Sequence, residues 1–342
     1  MNMDFEKKLP IPLETKKLYP LTAEMQKIIA ERQNELKAVF LGKTNKFVLI
    51  VGPCSANDSD AVLDYCSRLA KVQEKVKDVL YIIPRVYTNK PRTICDGYMG
   101  ILHQPEQTEH PDLFNGIIAV RSLHSKVVGT TGLTTADELL YPENYKYVDD
   151  LLGYVSVGAR SVEDQQHRFT ASGIDVPVGM KNPTSGDLSV MMNAIYAAQH
   201  PHSFVYRGWA AHSHGNVLAH AVLRGYTDRL GQNYSNYQND NILAVMDIYT
   251  KMNLVNPAVI VDCNHANSGK DPFKQIEIIK TVLQNRKHDE DVKKMLKGFM
   301  VESYLEDGSQ SIDGKIYGKS ITDPCLGWEK TERLIYTLAE NI

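Results

Sequence analysis

Four side chains from distant parts of the chain could together hold a transition metal. Cys54 ends the apolar run KFVLIV in GPCSAND, His265 lies in VDCNHANSGK, Glu302 in VESYLEDGSQS and Asp323 in YGKSITDPCLGW. A thiolate, an imidazole and two carboxylates suit Mn, Fe, Co or Zn and do not suit Mg or Ca. The spacing is non-local, so no compact motif such as C-x-x-C supports the set. Taken singly, each residue has an ordinary structural reading, as a packed thiol or a hydrogen-bonded histidine at a strand end. Cys263 competes as a ligand, but it shares strand parity with His265 and is expected one layer deeper, in the packed interior.

Cations form a second set. Arg85, Arg160, Lys181 and Arg224 stand at or near the ends of apolar runs, and NKPRT adds Lys90 and Arg92. A lone arginine there is usually a surface ion pair of little consequence. Several converging on one place repel one another unless a strongly anionic guest compensates them. Guanidinium forks match carboxylate and phosphate, and lysine adds a point charge. Their number implies more than one anionic group.

These residues need a scaffold that brings strand ends together. Eight runs read as strands: 46–55, 79–87, 125–131, 153–161, 176–182, 202–208, 257–267 and 298–305. Most are near-continuous apolar runs, as in strands buried on both faces, and most are separated by room for a helix. Alternating strands and helices imply a parallel sheet, and eight strands favour an α/β fold of the (β/α)8 TIM-barrel type. A dinucleotide-binding fold would want G-x-G-x-x-G after the first strand, which GPCSAND is not. Cys54, Arg85, Arg160, Lys181, His265 and Glu302 all fall at the C-terminal ends of strand candidates, the barrel face that carries active sites. Residues 1–45 read as an arm and one helix outside the barrel, with Gly42 as the helix stop, and residues 46–342 as the barrel itself.

Composition narrows the partners. A net charge of −3 offers no basic excess for a phosphate backbone, so nucleic acid is not expected. The charged N-terminus is no signal peptide, and no apolar run approaches the ~20 residues that span a bilayer. Five cysteines without a C-x-x-C fit a reducing cytoplasm better than a disulfide framework.

Six stretches carry a family resemblance: VGPCSANDSDAV, PRVYTNKPRT, VGARSVEDQQHRFTASGIDVPVGMKNPTSG, VDCNHANSGK, MVESYLEDGSQS and YGKSITDPCLGWE. In order, from about residue 18 to the C-terminus, they resemble the class I 3-deoxy-D-arabino-heptulosonate 7-phosphate (DAHP) synthases that carry an N-terminal regulatory extension. The resemblance implies a (β/α)8 barrel that condenses phosphoenolpyruvate with erythrose 4-phosphate, releasing phosphate, with a divalent metal as cofactor. It implies Cys54, His265, Glu302 and Asp323 as metal ligands. It places phosphoenolpyruvate on Arg85, Arg160, Lys181 and Arg224 beside the Gly158–Ala159 backbone. The aldose phosphate falls on Lys90, Pro91, Arg92 and Thr93, with Lys90 as candidate acid and Glu138 beside the enolpyruvate. A homodimer or homotetramer is expected.

The chain also departs from the family pattern. Tyr98 and Met99 stand where a Trp-Lys pair is usual, NPTSG replaces Asn-Gly-Thr-Asp-Gly, and the stretch from FVYRGW to LRGY is short. Tyr141 and Tyr145 fall near the family's inhibitor pocket. Two other readings therefore stand beside DAHP synthesis: the same chemistry on another aldose, or a non-catalytic relative that binds a sugar phosphate.

Overall fold

The computed structural model describes residues 1–92, 97–106 and 110–342. Its strands are β1 (Phe47–Gly52), β2 (Leu80–Pro84), β3 (Thr135–Glu138), β4 (Leu152–Val157), β5 (Val178–Lys181), β6 (Ser203–Tyr206), β7 (Trp209–His212), β8 (His220–Leu223), β9 (Tyr226–Thr227), β10 (Asn233–Tyr234), β11 (Val259–Asp262) and β12 (Leu296–Glu302). The helices are α1 (Pro12–Leu18), α2 (Ala23–Phe40), α3 (Ser59–Val76), α4 (Leu113–Thr131), α5 (Tyr145–Val148), α6 (Gln165–Ser172), α7 (Leu188–Gln199), α8 (Asn239–Lys251), α9 (His265–Ser268), α10 (Lys274–His288), α11 (Glu290–Met295) and α12 (Trp328–Asn341). No helix among the described residues is long and apolar enough to cross a membrane.

Eight strands pair in parallel in the order β2-β1-β12-β11-β8-β5-β4-β3. The two ends of that order meet through a parallel bridge between Arg85 and Ala136, with Val86 N donating to Ala136 O at 2.9 Å. The sheet thus closes into the expected (β/α)8 barrel. Strand alternation sends every second side chain inward. Val48, Ile50, Tyr81, Ile83, Ala136, Tyr154, Val222, Ile260 and Met300 fill the interior, and their neighbours pack outward against the helices. Cys263 is fully buried in that outer layer between sheet and helices.

Two of the eight expected strands fall elsewhere. Residues 125–131 form the end of α4, and the third barrel strand is β3. The buried positions of α4, including Ile117, Val120, Leu123, His124, Val127 and Val128, repeat at helical spacing. Asp112 caps its start by accepting from Asn115 N at 3.0 Å, and Gly132 closes it at φ 67°. Helical period and caps here override the β preference of Val127 and Val128. Residues 202–208 supply β6 and the turn of the antiparallel hairpin β6–β7, whose strands have no fully buried side chain, and the sixth barrel strand is the buried β8. His220 interrupts the apolar pattern of β8 and hides it from a periodicity search.

The N-terminal segment packs on the barrel. Leu36, Val39 and Phe40 of α2 belong to the interior cluster and cover its N-terminal end. Arg32 donates to Ile82 O at 2.6 Å, and Gln33 to Leu152 O at 2.8 Å. Phe40 lies 4.2 Å, centroid to centroid, from the His220 ring. His220 Nδ1 lies 2.8 Å from the Leu218 carbonyl, which can only accept, so Nδ1 carries the proton. Nε2 is then the acceptor for Tyr154 OH at 2.8 Å.

That arrangement holds only neutral imidazole. Burial pushes His220 down to about 4, below the ordinary value of the unfolded chain. The unfolded chain therefore takes up the proton first as pH falls. The stability from this site is full above pH ~6.5 and is lost toward pH ~4, by roughly 3 kcal/mol. His220→Asn, which cannot protonate there, should show a smaller drop in Tm between pH 7 and 4.5 than the unsubstituted protein. Equal drops would refute the assignment.

Candidate active site

The C-terminal ends of the barrel strands surround a cavity of about 320 Å³. Its lining includes Cys54, Arg85, Lys90, Pro91, Arg92, Glu138, Ala159, Arg160, Lys181, Arg224, His265 and Asp323. Thr93 lies outside the described residues. Gly158 is buried beside Glu138, and a Cβ there would meet Glu138 Oε1 at 2.6 Å. Only glycine lets that carboxylate approach.

The soft and hard ligands meet. Ligand atoms of Cys54, Glu302 and Asp323 lie within 4.8 Å of one another, a group that could hold a metal ion. His265 borders it, with Nε2 3.7 Å from Glu302 Oε1. Its φ of 52° is unusual for a residue with a Cβ and marks a backbone held in place by its surroundings. His265 Nδ1 is 2.9 Å from Asp262 Oδ2 but out of line for a hydrogen bond. Burial lowers the His265 pKa, which favours the neutral imidazole a metal needs.

Cations stand against these groups. Lys90 Nζ donates to Cys54 Sγ at 2.7 Å and to Asp323 Oδ2 at 2.9 Å. Burial pushes the Cys54 thiol up to about 11, so becoming a thiolate requires a strong local cation. Burial also works to raise Asp323, but Lys90 and Lys270 outweigh it and hold the carboxyl far below its usual range. Arg85 is fixed by Pro53 O at 3.1 Å and Glu302 Oε1 at 2.8 Å, which leaves its Nη1 without a partner among the described residues. Arg224 Nη1 is likewise buried and unpartnered. Arg160 is exposed at the rim. Lys181 donates to Glu138 Oε2 at 2.9 Å. Burial acts to raise Glu138, but Lys181, together with Arg85, outweighs it and lowers the carboxyl's pKa.

The reading of the sequence missed several members of this site. The Tyr87 ring lies 3.9 Å from the Arg85 guanidinium and 5.4 Å from Lys181 Nζ, a cation–π floor beneath both. Asp262 stands between His265 and Lys181, and Lys270 pairs with Asp323 Oδ1 at 2.9 Å. Strand parity signals Asp262, because Ile260 points into the barrel. Of the departures, Tyr98 is buried with its hydroxyl donating to Ala56 O at 3.3 Å, and Met99 O accepts from Lys90 N at 3.0 Å. Tyr145 lines a separate cavity of about 170 Å³ with Thr170, Phe204, Tyr206 and His212.

A parallel barrel with a cation-rich mouth and a thiol–imidazole–carboxylate group defines an enzyme class: metal-assisted barrels acting on small, multiply anionic substrates. Comparison with known proteins narrows this. The model of the DAHP synthetase I family matches residues 21–335, and the chain belongs to that family. It is 35% identical over 339 residues to a phospho-2-dehydro-3-deoxyheptonate aldolase of Haemophilus influenzae, covering 97% of this chain and 91% of that one. It is 34% identical to the Phe-sensitive enzyme of that name from Escherichia coli, covering 98% and 95%. The solved structure of the Francisella tularensis enzyme superposes with a TM-score of 0.92 at 31% identity, covering 100% of this chain and 98% of that one.

The ligand group makes a prediction that does not depend on turnover. Titration with Co²⁺ should give a near-ultraviolet thiolate-to-metal absorption band, lost in Cys54→Ser because a hard hydroxyl replaces the thiolate. An unchanged band in Cys54→Ser would exclude Cys54 as a ligand.

Proposed function

We propose that the chain condenses phosphoenolpyruvate with erythrose 4-phosphate to give DAHP and phosphate, the entry step of aromatic amino acid biosynthesis. The observation that carries this is the meeting, in one cavity, of seven cationic side chains from several strand ends and loops with the Cys54–Glu302–Asp323 group. One set suits two anionic substrates, and the other suits a Mn, Fe, Co or Zn ion completed by His265. Such an ion supplies Lewis-acid polarisation of the acceptor aldehyde.

The side chains divide the rest of the work. Arg85 and Arg224, each with an unpartnered buried Nη1, take the carboxylate and phosphate of phosphoenolpyruvate, with Lys181, Arg160 and the Gly158–Ala159 backbone. Lys90, Pro91, Arg92 and Thr93 receive the aldose phosphate, the proline stiffening the loop. This holds carbon 3 of the enol in line with the aldehyde carbon. As the carbon–carbon bond forms, Lys90 donates its proton to the aldehyde oxygen. Burial works to lower its pKa, but Cys54 and Asp323 raise it overall, so the proton is present. Positive charge develops at carbon 2, beside the Glu138 carboxylate. Water adds at carbon 2 and phosphate leaves with cleavage of the carbon–oxygen bond, one water proton departing with the phosphate and the other replacing the one Lys90 gave. The exposed Val205 and Trp209 of the hairpin support a homo-oligomer, dimer or tetramer.

Phosphate release should require phosphoenolpyruvate and an aldose together, with erythrose 4-phosphate preferred across an acceptor panel. A more than tenfold preference for another sugar would replace this reading with the same chemistry on that sugar. Lys181→Met removes a charge-assisted contact of about 1.5–3 kcal/mol. It should raise the KM for phosphoenolpyruvate or lower kcat at least tenfold while leaving metal affinity unchanged. Parental titration with phosphoenolpyruvate would reject the role.

A further inference from the structure

The barrel closes between β2 and β3, and the ladder there is short. Its bridge joins Arg85 to Ala136, with Val86 N donating to Ala136 O. A parallel ladder would continue with Glu138 N donating to Val86 O and Thr88 N donating to Glu138 O. Neither bond forms. Both donors turn to one side-chain oxygen: Asp137 Oδ1 accepts from Thr88 N at 2.9 Å and from Glu138 N at 2.8 Å.

The rest of the carboxylate is held as firmly. Oδ2 accepts from Thr88 Oγ1 at 2.5 Å and lies 3.2 Å from His124 Nε2. His124 Nδ1 is 2.8 Å from Thr135 Oγ1. Thr88, His124 and Thr135 are fully buried, and Asp137 is 7% exposed. Thr135 and Asp137 share the outward face of β3, where His124 of α4 reaches both. That layer is mostly apolar, and a carboxylate there is costly unless its oxygens are satisfied. The His124 imidazole is the one basic side chain within 4 Å of it among the described residues.

We infer that Asp137 is a positioning residue for the reaction: it replaces the missing rung of the seam and thereby sets Lys90 against Glu138 across it. Thr88 is two residues before Lys90, and Asp137 immediately precedes Glu138. One oxygen therefore fixes the backbone on both sides of the cavity. The outer strand face holds the clamp, so it touches no substrate. The inference rests on the roles proposed for Lys90 and Glu138, because misplacement by about 1 Å at such groups costs rate steeply.

The test compares Asp137→Ala, which removes the acceptor, with Asp137→Asn, whose amide oxygen can still accept both backbone donors. Phosphate release from phosphoenolpyruvate and erythrose 4-phosphate is measured well below each variant's Tm. Asp137→Ala should lose more than tenfold in kcat, with faster hydrogen exchange in peptides covering residues 86–92 and 137–140. Asp137→Asn should stay within about threefold. If Asp137→Ala does not fold, Thr88→Val carries the test, with a threefold or greater loss in kcat that Thr88→Ser restores. Parental kcat in Asp137→Ala or Thr88→Val with only a lower Tm would make the clamp purely structural and overturn the inference. Equal losses in Asp137→Asn and Asp137→Ala would also overturn it, since charge rather than acceptor geometry would then matter. Lys90→Met is the control for the underlying reading. If it turns over like the unsubstituted protein, the role of Lys90 fails whatever the Asp137 variants do.

Discussion

The mouth of the barrel depends on the ion pair between Arg85 and Glu302. The two side chains are 2% and 0% exposed and meet at 2.8 Å. Desolvating both is expensive, and removal of either partner alone would strand a buried charge at a cost of about 3–5 kcal/mol. The pair persists because every neighbouring group is arranged around it. Arg85 also donates to the carbonyls of Pro53 and Cys54 at the end of β1, and Asn264 after β11 donates to the second oxygen of Glu302. Gln275 of α10 clamps the Glu302 backbone, donating to its carbonyl at 2.9 Å and accepting from its amide at 2.8 Å. Four strand ends are thus tied to one another through a single charge pair, and Cys54, His265 and Asp323 are placed by what those ends carry.

The sequence states this centre more clearly than the frame that holds it. Cys54, Arg85, Lys181 and Glu302 sit at the ends of strands whose apolar runs leave little choice of structure. Residues 125–131 and 202–208 show the limit. Val127 and Val128 favour strand locally, and only the helical spacing back to Ile117 and the caps at Asp112 and Gly132 reveal α4. The segment 202–208 is a strand, but in a hairpin outside the barrel, and pairing partners are not written in local composition. The real sixth strand carries His220 in the barrel interior, a residue no hydrophobic pattern would place there. Asp137 is invisible for a similar reason. It sits on the strand face that periodicity assigns to the apolar layer, and its partner His124 is a helix residue thirteen positions away.

Polar groups are thus buried at both ends of the barrel, but they do different work. At the N-terminal end, Tyr154 and His220 satisfy each other under Phe40, and every atom of that pair has a partner. Such a closed network specifies packing and nothing more. At the C-terminal end, Arg85 and Arg224 each keep a buried Nη1 with no partner among the described residues, and His265 holds a strained backbone beside the Cys54–Glu302–Asp323 group. Each unsatisfied donor costs about 1–3 kcal/mol. The asymmetry matches a fold whose stability is built at one end and whose chemistry is built at the other.

Those open donors also separate catalysis from mere binding. A barrel that only captured a sugar phosphate would be served by the cations alone, since guanidinium and ammonium groups satisfy phosphate directly. It would gain nothing from placing Cys54 where burial and two neighbouring carboxylates together push its thiol up to about 11. Three anionic or would-be anionic ligands within 4.8 Å repel one another, and Lys90 alone meets two of them. On the function proposed above, a divalent cation between the carboxylates and thiolate, and substrate anions against the arginines, would make the arrangement favourable. Binding then stabilises the fold by mass action as well as preparing the reaction. The same groups that weaken the isolated barrel are those that make its ligands bind, and in this chain they all lie on the face that Arg85 and Glu302 hold together.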